Sequence, residues 1–286
     1  MSWRTPNSYR KAGLRRGTAT STSTRLGTTS TAPLIAICGR LHDRETAAAQ
    51  LSARVDALNG RPGAAAERRR TAGRLRAARA AALRARRDRA LLLAGYDAAL
   101  RRSELVAPDL ADLAETEHGL QVFIARSKTD QAALGDFVGI VHGHPAGTCT
   151  VTCPVRAWTD WRDALGEELA GLGAQLHPDA PAFRPLTRHG ALGAPGQLDP
   201  HARLTGQSVA LVVKAAVALL ADPARHPPER YAGHSLRAGF ATQAAAAGVP
   251  LDRIMRQTRH SSVAVALRYI RPGQIWHDNP SAALGL

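Results

Sequence analysis

Apolar residues recur at helical spacing through most of this chain. In DRETAAAQLSARVDALNG, residues 43–60, a capping Asp43 precedes Leu and Val at helical intervals and Asn59-Gly60 closes the run, which predicts one helix. DRALLLAGYDAAL (88–100) is dense enough in apolar residues to be a buried helix. The segment 154–165 reads as a helix with Pro154 in its first turn, Cys153 as a small buried residue before it, and Trp158 and Trp161 packing one face. Further helices are predicted at 207–221, at 234–247 stopped by Gly248, and at 249–259 started by Pro250. A short helix carries VAVAL, 263–267, and the Arg271-Pro272-Gly273 run is expected to end it before an amphipathic tail. Only two stretches alternate as strands do, 119–131 and its return 135–143, whereas Gly, Pro and polar residues make 166–205 a loop. These elements predict an α+β chain, mainly α-helical, with a small antiparallel sheet.

Composition adds a partner. The 286 residues carry 38 Lys and Arg against 23 Asp and Glu, a net charge of +15 and a pI near 11.2. Double-stranded DNA is the partner expected for that charge, with an anionic membrane surface as the alternative. No apolar run approaches the roughly 18 residues that span a bilayer. Three cysteines are too few, and odd in number, for a disulfide framework, so a cytoplasmic location is expected. Residues 1–32 hold Ser, Thr, Arg and Gly with no acid before Asp43, and they read as a disordered basic tail; a transit peptide has the same composition. Residues 64–90 contain ten arginines against Glu67 and Asp88, which suits a DNA-facing helix or linker as well as a solvated surface helix. Arg184 and Arg188 are candidate phosphate contacts, with a surface loop as the favoured reading. His142, His144, Cys149 and Cys153 fit no common structural-zinc spacing, and no metal is expected.

Chemistry concentrates between His234 and Tyr269. His234 and Arg237 stand at i, i+3 and share a helix face; His260 precedes Tyr269 by nine residues. Attack on a phosphodiester needs a nucleophile in line and fixed positive charge on the non-bridging oxygens. Arginine grips phosphate with a planar fork that stays charged. A phenol attacks well only when a base takes its proton, and either histidine is a candidate. Lys128 lies in the hairpin and is one of three lysines in a chain of 38 basic residues. Lysine, unlike arginine, gives up a proton when its pKa is lowered.

His-x-x-Arg, then His, then Tyr, in that order, resembles the C-terminal half of the catalytic domain of the tyrosine recombinases, the phage integrase family. LRRSELVAPDLADL (100–113) resembles the family's first arginine motif, with Arg101 three residues before Glu104, and RSKTD (126–130) resembles its hairpin lysine motif. The resemblance covers roughly residues 85–280, and the ordered set of motifs is far more specific than any one of them. It implies the DNA breaking-rejoining fold and strand exchange through a 3′-phosphotyrosine. Arg101 and Arg237 would stabilise the phosphate, Lys128 would protonate the leaving 5′ oxygen, His234 and His260 would handle the tyrosine proton and phosphate contacts, Tyr269 would attack, and Glu104 would orient Arg101. It also implies no cofactor and self-association on DNA as a tetrameric synapse. Two departures stand out: Ala99-Leu100-Arg101 replaces the family's usual Gly-Leu-Arg, and Thr258-Arg259-His260 replaces Leu-Gly-His. Residues 33–84 read as a short, degenerate core-binding region and Arg-rich linker ahead of a catalytic domain at 85–286. The short N-terminal region keeps open a DNA-binding remnant without catalysis, and the same chemistry would also serve a type IB topoisomerase.

Overall fold

The computed structural model describes residues 31–125, 135–142, 150–187, 189–192, 198–274, 281 and 284. Two long helices, α1 (Thr31–Ala57) and α2 (Ala65–Asp97), form the first layer as a hairpin. Their connection contains Gly60 and Gly63, both at φ +74°, a conformation that costs glycine nothing. α1 starts well before Asp43, so Asp43 is an interior position and not a cap. Leu34, Ile37, Cys38 and Leu41 explain the difference: they follow i, i+3, i+4, i+7, and all four are buried in the same core as Leu83 and Leu91 of α2. α2 is one unbroken helix through position 85, uniting the Arg-rich stretch with the buried run after it.

That continuity divides the arginines. Arg68, Arg69, Arg70, Arg74, Arg76 and Arg79 are exposed, while Arg87 and Arg89 are buried. Arg89 is bidentate to Glu45 of α1 at 3.0 Å and reaches Asp160 at 2.8 Å, and Arg87 pairs with Asp88 at 2.7 Å. Breaking one partner of such a buried pair leaves an uncompensated charge and costs about 3–5 kcal/mol.

Residues Asp136–Val141 (β3), Gly119–Ile124 (β2) and Leu113–Thr116 (β1) make an antiparallel sheet in the order β1-β2-β3. Leu120 faces Ile140 and Val122 faces Val138, and these side chains are buried on one face. The hairpin matches the alternation in the sequence; β1, only four residues long, carries too short a pattern to be read. The hairpin tip with Lys128 lies outside the described residues, as do His144, Cys149 and Arg188.

α4 (Pro154–Gly171) is longer than the sequence pattern suggested, because Glu167, Glu168, Leu169 and Ala170 are all helix formers that continue it. Cys153 caps it, its sulfur accepting the Arg156 amide, and Trp158 and Trp161 are fully buried. The Trp161 indole donates to the Ala182 carbonyl at 2.8 Å, so this large side chain is buried without losing its polar bond. Arg184 is not a surface residue: it is 2% exposed and donates to the carbonyls of Asp199 and Pro200, where it pins the loop. The segment α5 (Gly206–Val217) is capped by Thr205.

The remaining helices deliver the chemistry. They are the short α3 (Arg102–Val106), α6 (His234–Ala246), α7 (Leu251–Thr258) and α8 (Val263–Gln274). Gly95 lets α2 approach both α3 and α6, since a Cβ there would sit 2.9 Å from methyls of Leu105 and of Leu236. α8 rests on α6 and α7 through a small second core of Ala241, Ala245, Ile254, Ala266 and Ile270. It does not stop at Arg271: the helix runs to Gln274 with Pro272 inside, in the last turn where little remains of the hydrogen-bond ladder for a missing amide to interrupt.

Candidate active site

Arg101 is the N-cap of α3, and Glu104 at the third helical position reaches back to it. The Glu104 carboxylate accepts the Arg101 amide at 3.0 Å and the Arg101 guanidinium. Arg102, the neighbour with which Arg101 is easily confused in sequence, is exposed beside Gly206. Glu104 is 2% exposed. Burial alone would raise its carboxyl, but the Arg101 amide and the guanidiniums of Arg259 and Arg101 outweigh this and hold it below the usual range.

Arg237 comes from the first turn of α6 and is also 2% exposed. Its Nη1 donates to the Ala99 carbonyl at 2.7 Å, and its Nη2 is buried with no hydrogen-bond partner among the described residues. Burial first, then the like charges of Arg101 and Arg259, push Arg237 down to about 10. It stays charged at neutral pH, but three guanidiniums crowd one carboxylate. Such a site favours an incoming anion, and the unpartnered Nη2 is a donor for one of its oxygens.

On the other side stand the histidines and the tyrosine. His234 Nε2 lies 2.9 Å from the Tyr269 hydroxyl, and the His260 ring stacks on the Tyr269 ring at 5.7 Å and 9°. Thr258 donates its hydroxyl to the Ile254 carbonyl at 2.7 Å and so accepts from His260 Nδ1 at 2.8 Å, which leaves His260 Nε2 as the nitrogen with the lone pair. Thr242 of α6 donates to the Tyr269 carbonyl at 2.8 Å and fixes α8 at the level of the tyrosine. Burial, helped by Arg237 and Arg101, lowers the pKa of His234; the same causes, with His234 and Arg259 added, take His260 to about 4. Both imidazoles are therefore neutral near pH 7, the form that accepts a phenol's proton.

Five of the six site residues read from sequence thus converge: Arg101, His234, Arg237, His260 and Tyr269. The sixth, Lys128, is outside the described residues. One residue was missed. Arg259, its side chain buried between α7 and His260, pairs with Glu104 at 2.7 Å and donates to the Gln257 carbonyl at 2.9 Å. Its signal in the sequence was weak, because a charged side chain at a helix end reads as solvent-facing. Among the described residues no group of three or more His, Cys, Asp or Glu is placed to hold a metal ion, and no helix is long and apolar enough to cross a membrane.

No family model matches the chain. It is 40% identical over 179 residues, 63% of its length, to an integrase/recombinase, a xerD homolog, of Selenomonas ruminantium, and it spans 45% of that protein. A solved structure of the XerH site-specific recombinase, bound to a palindromic difH substrate after cleavage, aligns with 93% of this chain and 55% of its own, at 14% identity and a TM-score of 0.49. At 40% identity the matched 179 residues are similar to the Selenomonas ruminantium integrase/recombinase, of which this chain spans less than half the length.

Proposed function

We propose that the chain is a site-specific DNA recombinase that cuts and rejoins strands through a 3′-phosphotyrosine. The observation that carries this reading is the contact of His234 with the Tyr269 hydroxyl at 2.9 Å, beside buried arginines that outnumber their carboxylate. In the reaction, the Tyr269 oxygen attacks the scissile phosphorus while His234 Nε2 takes its proton. The P–O bond to the 5′ oxygen breaks, and Lys128 gives that oxygen a proton. Arg101 and Arg237 hold the non-bridging oxygens, Arg237 through the Nη2 that has no hydrogen-bond partner among the described residues. His260 is neutral in the free protein; the phosphodiester's negative charge raises its pKa, so that it becomes a donor to the phosphate as substrate binds. Rejoining is the reverse reaction with a new 5′ hydroxyl as nucleophile. The phosphotyrosine keeps the energy of the broken linkage.

Double-stranded DNA is the substrate in this reading, and the exposed arginines from Arg68 to Arg79 on α2 supply further phosphate contacts. Exchange between two duplexes requires several protomers, so self-association on DNA follows, with a tetramer as the expected synapse. The test is incubation with a nicked duplex from which the strand beyond the nick diffuses away, trapping the intermediate. A denaturing gel should show a protein-DNA adduct that is absent for Tyr269→Phe, while duplex binding by the variant stays within a few-fold. An adduct that persists in Tyr269→Phe would move the nucleophile elsewhere.

A further inference from the structure

Ala99 and Arg259 are the non-glycine residues in the left-handed backbone region among the described residues, at φ +48° and +52°. That conformation disfavours any residue with a Cβ. The two are not independent. The left-handed turn at Ala99 presents its carbonyl to Arg237 Nη1 at 2.7 Å, and Arg259 Nη2 lies 3.5 Å from the same oxygen. Arg259 Nη1 reaches the preceding carbonyl, that of Ala98, at 3.3 Å. In return the Arg259 carbonyl accepts from Arg101 Nη2 at 3.4 Å. The left-handed backbone at 259 therefore aims a carbonyl at one arginine and a guanidinium at the carboxylate that holds that arginine. A glycine would adopt the same backbone more readily, so the conformation alone does not account for the side chain. The side chain is 6% exposed, which makes it an interior ion rather than a surface one.

We infer that Arg259 is a positioning residue: by sharing Glu104 with Arg101 it leaves the Arg101–Glu104–Arg259 cluster net positive towards a bound phosphate and locks the Ala99 turn under Arg237. The charge accounting is simple. With Arg259 present, Glu104 is divided between two guanidiniums and the trio is net positive. Without it, the full negative charge of Glu104 falls on Arg101, the pair is neutral, and the pull on an anion drops. A purely structural role for Arg259 makes a different forecast, since losing both Glu104 and Arg259 would then be at least as harmful as losing either.

This inference rests on the recombinase reading for its reaction and for the cleavage arm of its test, while the phosphate-binding arm is independent of that reading. Single-turnover cleavage of the nicked duplex is measured for the wild type, Arg259→Gly, Arg259→Lys and the double variant Arg259→Gly/Glu104→Gln, each first shown to be folded by circular dichroism. Glycine suits the left-handed position, which favours a folded variant. Arg259→Gly should cleave about tenfold to a hundredfold more slowly. Arg259→Lys, which keeps the charge, should recover part of that loss. The double variant restores the wild-type charge balance, and it should cleave at least about tenfold faster than Arg259→Gly. In parallel, the affinity of each protein for inorganic phosphate is followed by phosphorus NMR line broadening, and it should fall and recover in the same order. If the wild type forms no adduct, the recombinase reading fails while the phosphate series still decides the role of Arg259. Phosphate affinity unchanged across the series, or a double variant no better than Arg259→Gly, overturns the inference.

Discussion

Arg237→Met separates what is good for folding from what is good for chemistry. Arg237 is 2% exposed and its pKa is lowered from the ordinary guanidinium range to about 10, first by burial and then by the charges of Arg101 and Arg259. At pH 7, below both values, the guanidinium is charged in the folded and the unfolded chain, and the depressed folded value means that charge works against folding. A fall of that size corresponds to about 3 kcal/mol, taken as an order of magnitude. Methionine of similar length removes this penalty but strips the Ala99 carbonyl of its donor at 2.7 Å, a loss of about 1–3 kcal/mol. The two effects nearly cancel or favour the variant, so Arg237→Met should be as stable as the wild type or up to about 2 kcal/mol more stable, the difference between those two figures. Urea unfolding at pH 7 without anions measures this. Phosphate then makes the contrast sharper. A ligand at about one hundred times its dissociation constant stabilises by about 2.7 kcal/mol; inorganic phosphate should do so for the wild type and do little for Arg237→Met. Adduct formation should meanwhile fall by about a hundredfold to a thousandfold. A variant destabilised by more than about 2 kcal/mol, or stabilised by phosphate as much as the wild type is, would refute the view that Arg237 is held strained for an anion.

Three further outcomes are expected. Asp97 is raised from 3.8 to about 6 by burial, so its stabilising protonation is complete below 3.8 and is lost as pH rises through 6; Asp97→Asn should exceed wild-type stability at pH 8 by on the order of 1–3 kcal/mol, and a gap that fails to close by pH 4 would exclude charge burial as its cause. His234 must be neutral to take the phenol proton and its pKa lies below 6.5, so the acid limb of kcat/KM, which reports the free enzyme, should have its midpoint below pH 6.5; His234→Gln should lose about a hundredfold or more, and a midpoint above 6.5 would argue against His234 as the base. Lys128→Ala should cleave slowly on the natural linkage yet recover towards the wild-type rate when sulfur replaces the bridging 5′ oxygen, a leaving group that needs no proton, whereas Arg237→Ala should stay slow on both; equal rescue of the two would remove Lys128 as the general acid.

How much of this was legible in the sequence depends on which force fixes each part. The helices that carry His234, Arg237 and Tyr269 were readable because apolar periodicity and Gly248 mark them, and because four short motifs in order constrain one another. The start of α1 was obscured by Asp43, whose capping chemistry is local, while the Leu34 to Leu41 stripe that sets the helix acts through tertiary packing on α2. Arginine misled in both directions. Arg89 and Arg184 look solvent-exposed by type, yet Glu45 and the Asp199 and Pro200 carbonyls draw them inside, partners far off in sequence. Arg259 escaped notice for the same reason, since its partner Glu104 lies on another helix and its left-handed backbone is the conformation that propensity assigns to glycine. The mutual approach of the arginine and histidine-tyrosine halves depends on Gly95 and on the Ala99 carbonyl, contacts that no local pattern encodes.

The central claim is a covalent bond between Tyr269 and the 3′ phosphate of a cut strand. It is tested most directly by trapping the adduct on a nicked duplex, digesting it with protease and nuclease, and locating the retained nucleotide by tandem mass spectrometry. The account predicts a peptide carrying Tyr269 with a nucleotide joined through its 3′ phosphate, and a free 5′ hydroxyl on the released strand. A nucleotide on any other residue, a 5′-phosphate linkage, or cleavage with no covalent protein product would contradict it.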